Sequence, residues 1–192
     1  MLFRSWVHPS HDLGSPPFDA IPLRIDAGLA FGTGTHATTR GCLELLATVE
    51  AENAVDVGCG SGILAIALAK LWKRPVIGGD NDGQAVAVAI ENAELNGVAP
   101  LCRFVEAVGL DHRELQAKKP YDLIVANILA GPLLGLADSF ATAGERLLLS
   151  GLLLEQADEI VAAYGRKGFE VERHVDLETG GAIWRTLLMR QA

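Results

Sequence analysis

Apolar residues in this chain arrive as short runs separated by stretches of helical spacing. Val55 and Val57, Val76 and Ile77, Phe104 and Val105, Leu123-Ile124-Val125-Ala126 and Leu147-Leu148-Leu149 are runs of strand length. Between them Leu43, Leu45, Leu46 and Val49, then Val86, Ala89, Ile90 and Ala93, then Leu133, Leu136 and Phe140 recur with the spacing of an amphipathic helix. The pattern predicts strands near 54–57, 75–79, 102–106, 121–126, 145–150, 169–175 and 183–189. Helices are expected from Thr38 or Thr39, over 62–71, 84–95 and 129–142, and through Gln156 to Tyr164. Alternating strands and helices call for a parallel sheet covered on both faces. The last two strands have no helix between them, which makes a hairpin and a mixed sheet. Residues 107–120 are polar and too irregular to assign.

The N-terminal part is different. Pro9, Ser10, Gly14, Ser15, Pro16 and Pro17 disfavour continuous regular structure, so residues 1–20 read as a linker or edge segment and 21–192 as one domain. Ile21–Ile25 alternates and suits a short edge strand, where Pro22 is tolerable. No apolar run approaches the ~18 residues of a membrane span, and the short N-terminal apolar stretch does not make a signal peptide. Three cysteines, Cys42, Cys59 and Cys102, without metal-type spacing read as reduced thiols in a cytoplasmic protein. A net charge of −8 argues against nucleic acid as a direct partner and is compatible with a cationic substrate.

The chemistry gathers around Asp56-Val57-Gly58-Cys59-Gly60-Ser61-Gly62-Ile63, a strand that runs through three glycines into a helix. Glycines there let backbone approach a ligand closely, and the helix start presents unpaired N–H groups. A second strand delivers Asp80, 18 residues beyond Gly62, where a carboxylate can accept hydrogen bonds from ribose hydroxyls. The GxGxG spacing departs from the GxGxxG of dinucleotide sites and favours an adenosine-containing ligand without phosphates. A tight turn with no ligand remains the plain alternative. Asn127 stands at the C-terminal end of the apolar 121–126 strand, where ligands bind in open parallel sheets, and is the catalytic candidate by position, against simple strand-end capping. Residues 26–39, with three glycines and Thr33, Thr35, Thr38 and Thr39, form a loop costly to order unless it packs or binds something. His36 has no neighbouring histidine and reads as a hydrogen-bonding loop residue; no metal site is expected.

Together these stretches resemble class I methyltransferases that use S-adenosylmethionine. More narrowly, Asp26–Thr39, Asp56–Ile66, Glu91-Asn-Ala-Glu-Leu-Asn-Gly97 and Val125–Pro132 resemble the PrmA family, which methylates ribosomal protein L11 at the stalk base of the large subunit. The resemblance implies a Rossmann-like α/β fold with a seven-stranded mixed sheet in the order 3-2-1-4-5-7-6. It implies methylation of the α-amine and lysine ε-amines of that protein. It also implies a separate N-terminal recognition domain without counterpart in this chain, which would make the chain a fragment or a short form. Transferred residue by residue, it places S-adenosylmethionine contacts at Thr39, Gly58, Asp80 and Asn127, with Phe31, Thr33 and Thr35 covering the ligand and Gly60 and Gly62 completing the turn. Ala27 and Ala37 stand where the family usually has proline. The competing expectations are a module that binds the cofactor without turnover, and an N-methyltransferase for another protein or a small amine.

Overall fold

The computed structural model describes residues 4–9, 14–15, 17, 20–26 and 36–192. Arg4–His8 (β1) and Ala20–Arg24 (β2) pair in parallel as a separate two-stranded ribbon, with Pro22 opposite Trp6. The chain continues through Ala37–Leu46 (α1), Ala54–Val57 (β3), Ile63–Trp72 (α2), Val76–Asp80 (β4), Gly83–Leu95 (α3) and Cys102–Glu106 (β5). Arg113–Gln116 (α4), Tyr121–Asn127 (β6), Ala130–Ala141 (α5), Gly144–Leu153 (β7) and Ala157–Gly165 (α6) follow. Phe169–Thr179 (β8) and Ala182–Gln191 (β9) close the fold as an antiparallel hairpin.

Strands β3 to β9 form one sheet in the order β5-β4-β3-β6-β7-β9-β8. Numbered within the sheet, this is the 3-2-1-4-5-7-6 order that the resemblance implied. Pairing is parallel from β5 to β7, and β9 lies antiparallel between β7 and β8. Strand polarity follows from the connections: helical crossovers return the chain to the same end, whereas the short turn at Gly180-Gly181 cannot.

Period-two alternation assigns the two faces. Ala54, Leu123, Val125 and Leu148 pack into one core with Leu46, Ile66, Leu68 and Ala89 of α1, α2 and α3. Val55, Val57, Ile124, Ala126, Leu147 and Leu149 point the other way, to Leu115, Leu133, Phe140, Ile160 and Tyr164 of α4, α5 and α6. Tyr164 buries its ring fully and donates its hydroxyl hydrogen to the Leu133 carbonyl at 2.8 Å, which joins α6 to α5.

Two local expectations change. The polar stretch 107–120 contains α4, one helical turn capped by the His112 ring, which accepts the Glu114 N–H at 3.2 Å. Its apolar anchor is Leu115 alone, too little for periodicity to register. Helix α1 starts at Ala37, just ahead of the expected Thr38 or Thr39, and is capped by His36, whose Nδ1 accepts the Thr38 N–H at 3.3 Å.

Candidate active site

Strand order reverses between β3 and β6, and helices leave the sheet on opposite faces there, so a crevice opens past the C-terminal ends of β4, β3 and β6. A cavity of about 410 Å³ occupies it. Its walls include Thr39, Gly58, Gly60, Asp80 and Asn127, five of the residues singled out above. Gly62 is not on the wall; it caps α2 and faces Ala89 and Phe104. Phe31, Thr33 and Thr35 lie outside the described residues. A hollow of about 650 Å³ at the opposite end of the sheet is larger, but its walls are charged and open, with Arg74, Asp122 and Arg146, and it collects none of the motif residues.

The glycine turn is held by its own strands. The N–H groups of Gly58 and Cys59 both donate to the Gly79 carbonyl, at 2.7 and 3.0 Å. Asp80 accepts the Gly60 N–H at 2.8 Å through one carboxylate oxygen and the Asp82 N–H at 3.0 Å through the other. Asp56 accepts the Ala65 N–H, from the first turn of α2, at 3.0 Å. The turn was expected to offer open amides; several are instead taken by a carbonyl and two carboxylates. An anion would meet Asp56 and Asp80 there, which is the electrostatic reason this turn does not suit a phosphate.

Asp56 is 1% exposed and its Oδ1 has no hydrogen-bond partner among the described residues. Burial pushes its carboxyl up to about 7, against the lowering effect of the Ala65 amide and with help from the Asp80 charge. Cys59 also lines the cavity, and burial, then Asp56 and Asp80, push its thiol upward, which keeps it protonated and unreactive.

Asn127 ends β6 opposite Ser150 of β7, and its Nδ2 makes a long 3.4 Å contact to the Thr39 hydroxyl. Behind Thr39, Ser150 donates to the Thr38 carbonyl or shares a 2.8 Å bond with the Thr186 hydroxyl, both buried. The next residue, Ile128, sits between two glycines with positive φ. A Cβ on Gly58 would fall 2.3 Å from the Ile128 side chain, and one on Gly151, in the bulge of β7, would fall 2.2 Å from the Ile128 carbonyl oxygen. A substitution at Gly58 therefore strikes protein before it strikes any ligand.

Among the wall residues to which sequence reasoning gave no role in the site are Asp56, Ile128 and Trp184. The Trp184 ring meets His36 edge-on at 4.8 Å, and its indole N–H is buried without a partner among the described residues. Asp56 opens the glycine motif and carried a signal; Trp184, some 57 residues beyond Asn127, reaches the wall only through the β7–β9 pairing.

The family model for ribosomal protein L11 methyltransferase (PrmA) matches residues 3–190. The chain belongs to this family. A protein of Chelativorans sp. (strain BNC1) named ribosomal protein L11 methyltransferase is 46% identical over 173 residues, 86% of this chain and 60% of the relative. A protein of the same name from Brucella abortus (strain S19) is 46% identical over 188 residues, 94% of this chain and 66% of the relative. The chain thus spans 60 to 66% of the length of these two family members. The crystal structure of ribosomal protein L11 methylase from Lactobacillus delbrueckii subsp. bulgaricus superimposes with a TM-score of 0.82 at 32% identity, covering 96% of this chain and 93% of that one. The fold extends beyond the family: TrmN from Thermus thermophilus shares it at a TM-score of 0.61 and 23% identity, over 80% of this chain and 48% of that one.

Proposed function

We propose that this chain binds S-adenosylmethionine in the cavity at the β3–β6 crevice and directs its methyl group to amines of ribosomal protein L11, at the α-amine and lysine ε-amines. The observation that carries the reading is the meeting of Gly58, Gly60, Asp80 and Asn127 on one 410 Å³ cavity, from three strand ends. The residues fit the cofactor: a volume inside the ~300–1,000 Å³ range of small-molecule sites, two carboxylates that favour a cation, and an unpartnered Asp56 oxygen suited to an ammonium group. The bound cofactor supplies a methyl group on a sulfonium, and its transfer leaves a neutral thioether.

The chain's part is alignment. Asp80 accepts from ribose hydroxyls with the lone pairs left over from Gly60 and Asp82. Asn127, its Nδ2 turned to Thr39, offers its amide oxygen to an N–H of the acceptor amine and points the nitrogen lone pair into the cavity. The amine must be neutral. An α-amine, with a pKa of about 8, meets that condition more readily than lysine at about 10.4, whose proton passes to water before attack. The −8 charge suits a basic acceptor protein, and the setting we infer is cytoplasmic.

Calorimetric titration with S-adenosylmethionine, followed by transfer of labelled methyl to purified L11, tests the reading. Binding and labelling support it. Binding without transfer to L11 or to a panel of amines would favour a cofactor-binding module, and labelling of another amine alone would redirect the acceptor.

A further inference from the structure

The Glu91–Gly97 stretch, one of the four motifs that carried the resemblance, has no residue on the cavity wall. Two of its side chains, Asn92 on α3 and Asn96 four residues on at the helix C-cap, are turned to backbone at the end of β2. Asn96 accepts the Arg24 N–H at 3.0 Å and donates to the Arg24 carbonyl at 2.6 Å. Asn92 repeats the pattern on Asp26, accepting its N–H at 2.9 Å and donating to its carbonyl at 3.2 Å. Dimensions explain the match. Alternate residues of a strand show N–H and C=O on one edge at intervals of roughly 6.6 Å, and helix residues four apart are separated by about 6 Å. The two carboxamides therefore pair with β2 much as a further strand would, while β1 occupies its other edge, where Ile25 donates to the His8 carbonyl at 2.9 Å.

Asn92 reaches further than Asn96. Its Nδ2 also donates to the Ser61 carbonyl at 2.9 Å, inside the glycine turn, and the residue is 1% exposed. One helical turn earlier Ala89 packs so closely on Gly62 that a Cβ there would lie 2.9 Å from its own. Helix α3 thus grips the turn at Ser61 and Gly62, on the side away from the cavity that Gly58 and Gly60 line.

We propose that Asn92 is a positioning residue for the methyl-donor site: by tying Ser61 to the backbone of Asp26 it sets the course of the turn that the donor meets. The inference rests on reading the cavity as the S-adenosylmethionine site. Asn96 makes the same clasp without touching the turn and separates positioning from plain stabilisation.

The test is calorimetric titration of S-adenosylhomocysteine into the unaltered chain and the Asn92→Ala, Asn92→Asp and Asn96→Ala variants, each at a temperature where circular dichroism shows it folded. Asn92→Asp keeps the shape and the acceptor for Asp26 while removing both donated bonds. The expected result is about tenfold or greater loss of affinity for both Asn92 variants and less than about twofold for Asn96→Ala, whatever their melting temperatures. Full affinity in the Asn92 variants, or an equal loss in Asn96→Ala, overturns the proposal. Should the Asn92 variants fail to fold, nitrogen-15 spectra of the unaltered chain decide: its Asn92 carboxamide signals shift on adding S-adenosylhomocysteine and those of Asn96 stay, and unmoved Asn92 signals overturn the proposal. No binding by the unaltered chain would sink the function proposed above and this inference with it, whereas normal binding unaffected at Asn92 removes this inference alone.

Discussion

A carboxylate at the centre of a sheet is costly, and Asp56 shows how the cost is carried. One oxygen takes the Ala65 N–H and the other has no partner among the described residues, so the acid is held up to about 7 in the folded chain. Unfolded, it titrates at about 4. Because the folded form binds its proton more tightly, Asp56 contributes full stability below about pH 4, and that contribution is lost as pH rises to about 7. Asp56→Asn should therefore remove a decline in unfolding free energy between those values, a difference on the order of a few kcal/mol, read from urea titrations at several pH values. Identical pH profiles for the two proteins would show that Asp56 is not the group responsible. Asn127 is predicted to act on the acceptor. Asn127→Ala should lower methyl transfer about a hundredfold while S-adenosylhomocysteine affinity changes less than about threefold. Matching losses in both quantities, from single-turnover rates and calorimetry, would deny that division of labour.

At the scale of elements, the site depends on two strands coming close at Ile128. Gly151 has a φ of 87° in the β7 bulge, and its missing side chain leaves room for the Ile128 backbone. Gly151→Ala adds left-handed strain to a backbone clash and should cost on the order of 2–4 kcal/mol in chemical unfolding. Gly135 offers the contrast. It lies exposed within α5 with nothing near its would-be Cβ, and Gly135→Ala should stabilise by about 0.5–1 kcal/mol. Equal effects from the two alanines would refute the argument from close approach. Caps act at the same scale. Asp82, not Asp80, caps α3 by accepting the Gln84 N–H at 2.8 Å, and Asp80 is thereby left to the turn and the cavity.

The whole molecule is two apolar layers sharing one sheet. Leu68, on α2, belongs to one layer and Leu133, on α5, to the other, and both are fully buried. Leu68→Ala and Leu133→Ala should each cost about 2–5 kcal/mol. Since adjacent residues of β6 feed opposite layers, the two variants should lower the midpoint of one cooperative transition. A calorimetric trace that splits into two peaks for either variant would mean that the layers unfold separately.

Much of this architecture was legible in the chain. Leu123 to Ala126 reads as a strand buried on both faces, and the 84–95 spacing of Val86, Ala89, Ile90 and Ala93 matches α3 closely. Both signals are local, because a strand repeats every two residues and a helix every 3.6. Glycine spacing and Asp80 were also visible, and they marked a turn that the structure places on the cavity, because a strand followed by a tight turn is itself a local unit. What lay beyond reach depends on residues far apart in sequence. Asp80 latches Gly60, Asn92 ties Ser61 to Asp26, and Trp184 comes to the wall with Asn127 only when β9 pairs with β7. The sequence by itself determined the kinds of element and the faces they bury, since these follow from periodicity, whereas the strand order, and with it the crevice at the reversal, came from the family resemblance and stands in the sheet itself. Only the tertiary structure decided which amides of the glycine turn stay open and which carboxylate is stripped of water, because hydrogen bonding and desolvation are set by neighbours that chain order does not name.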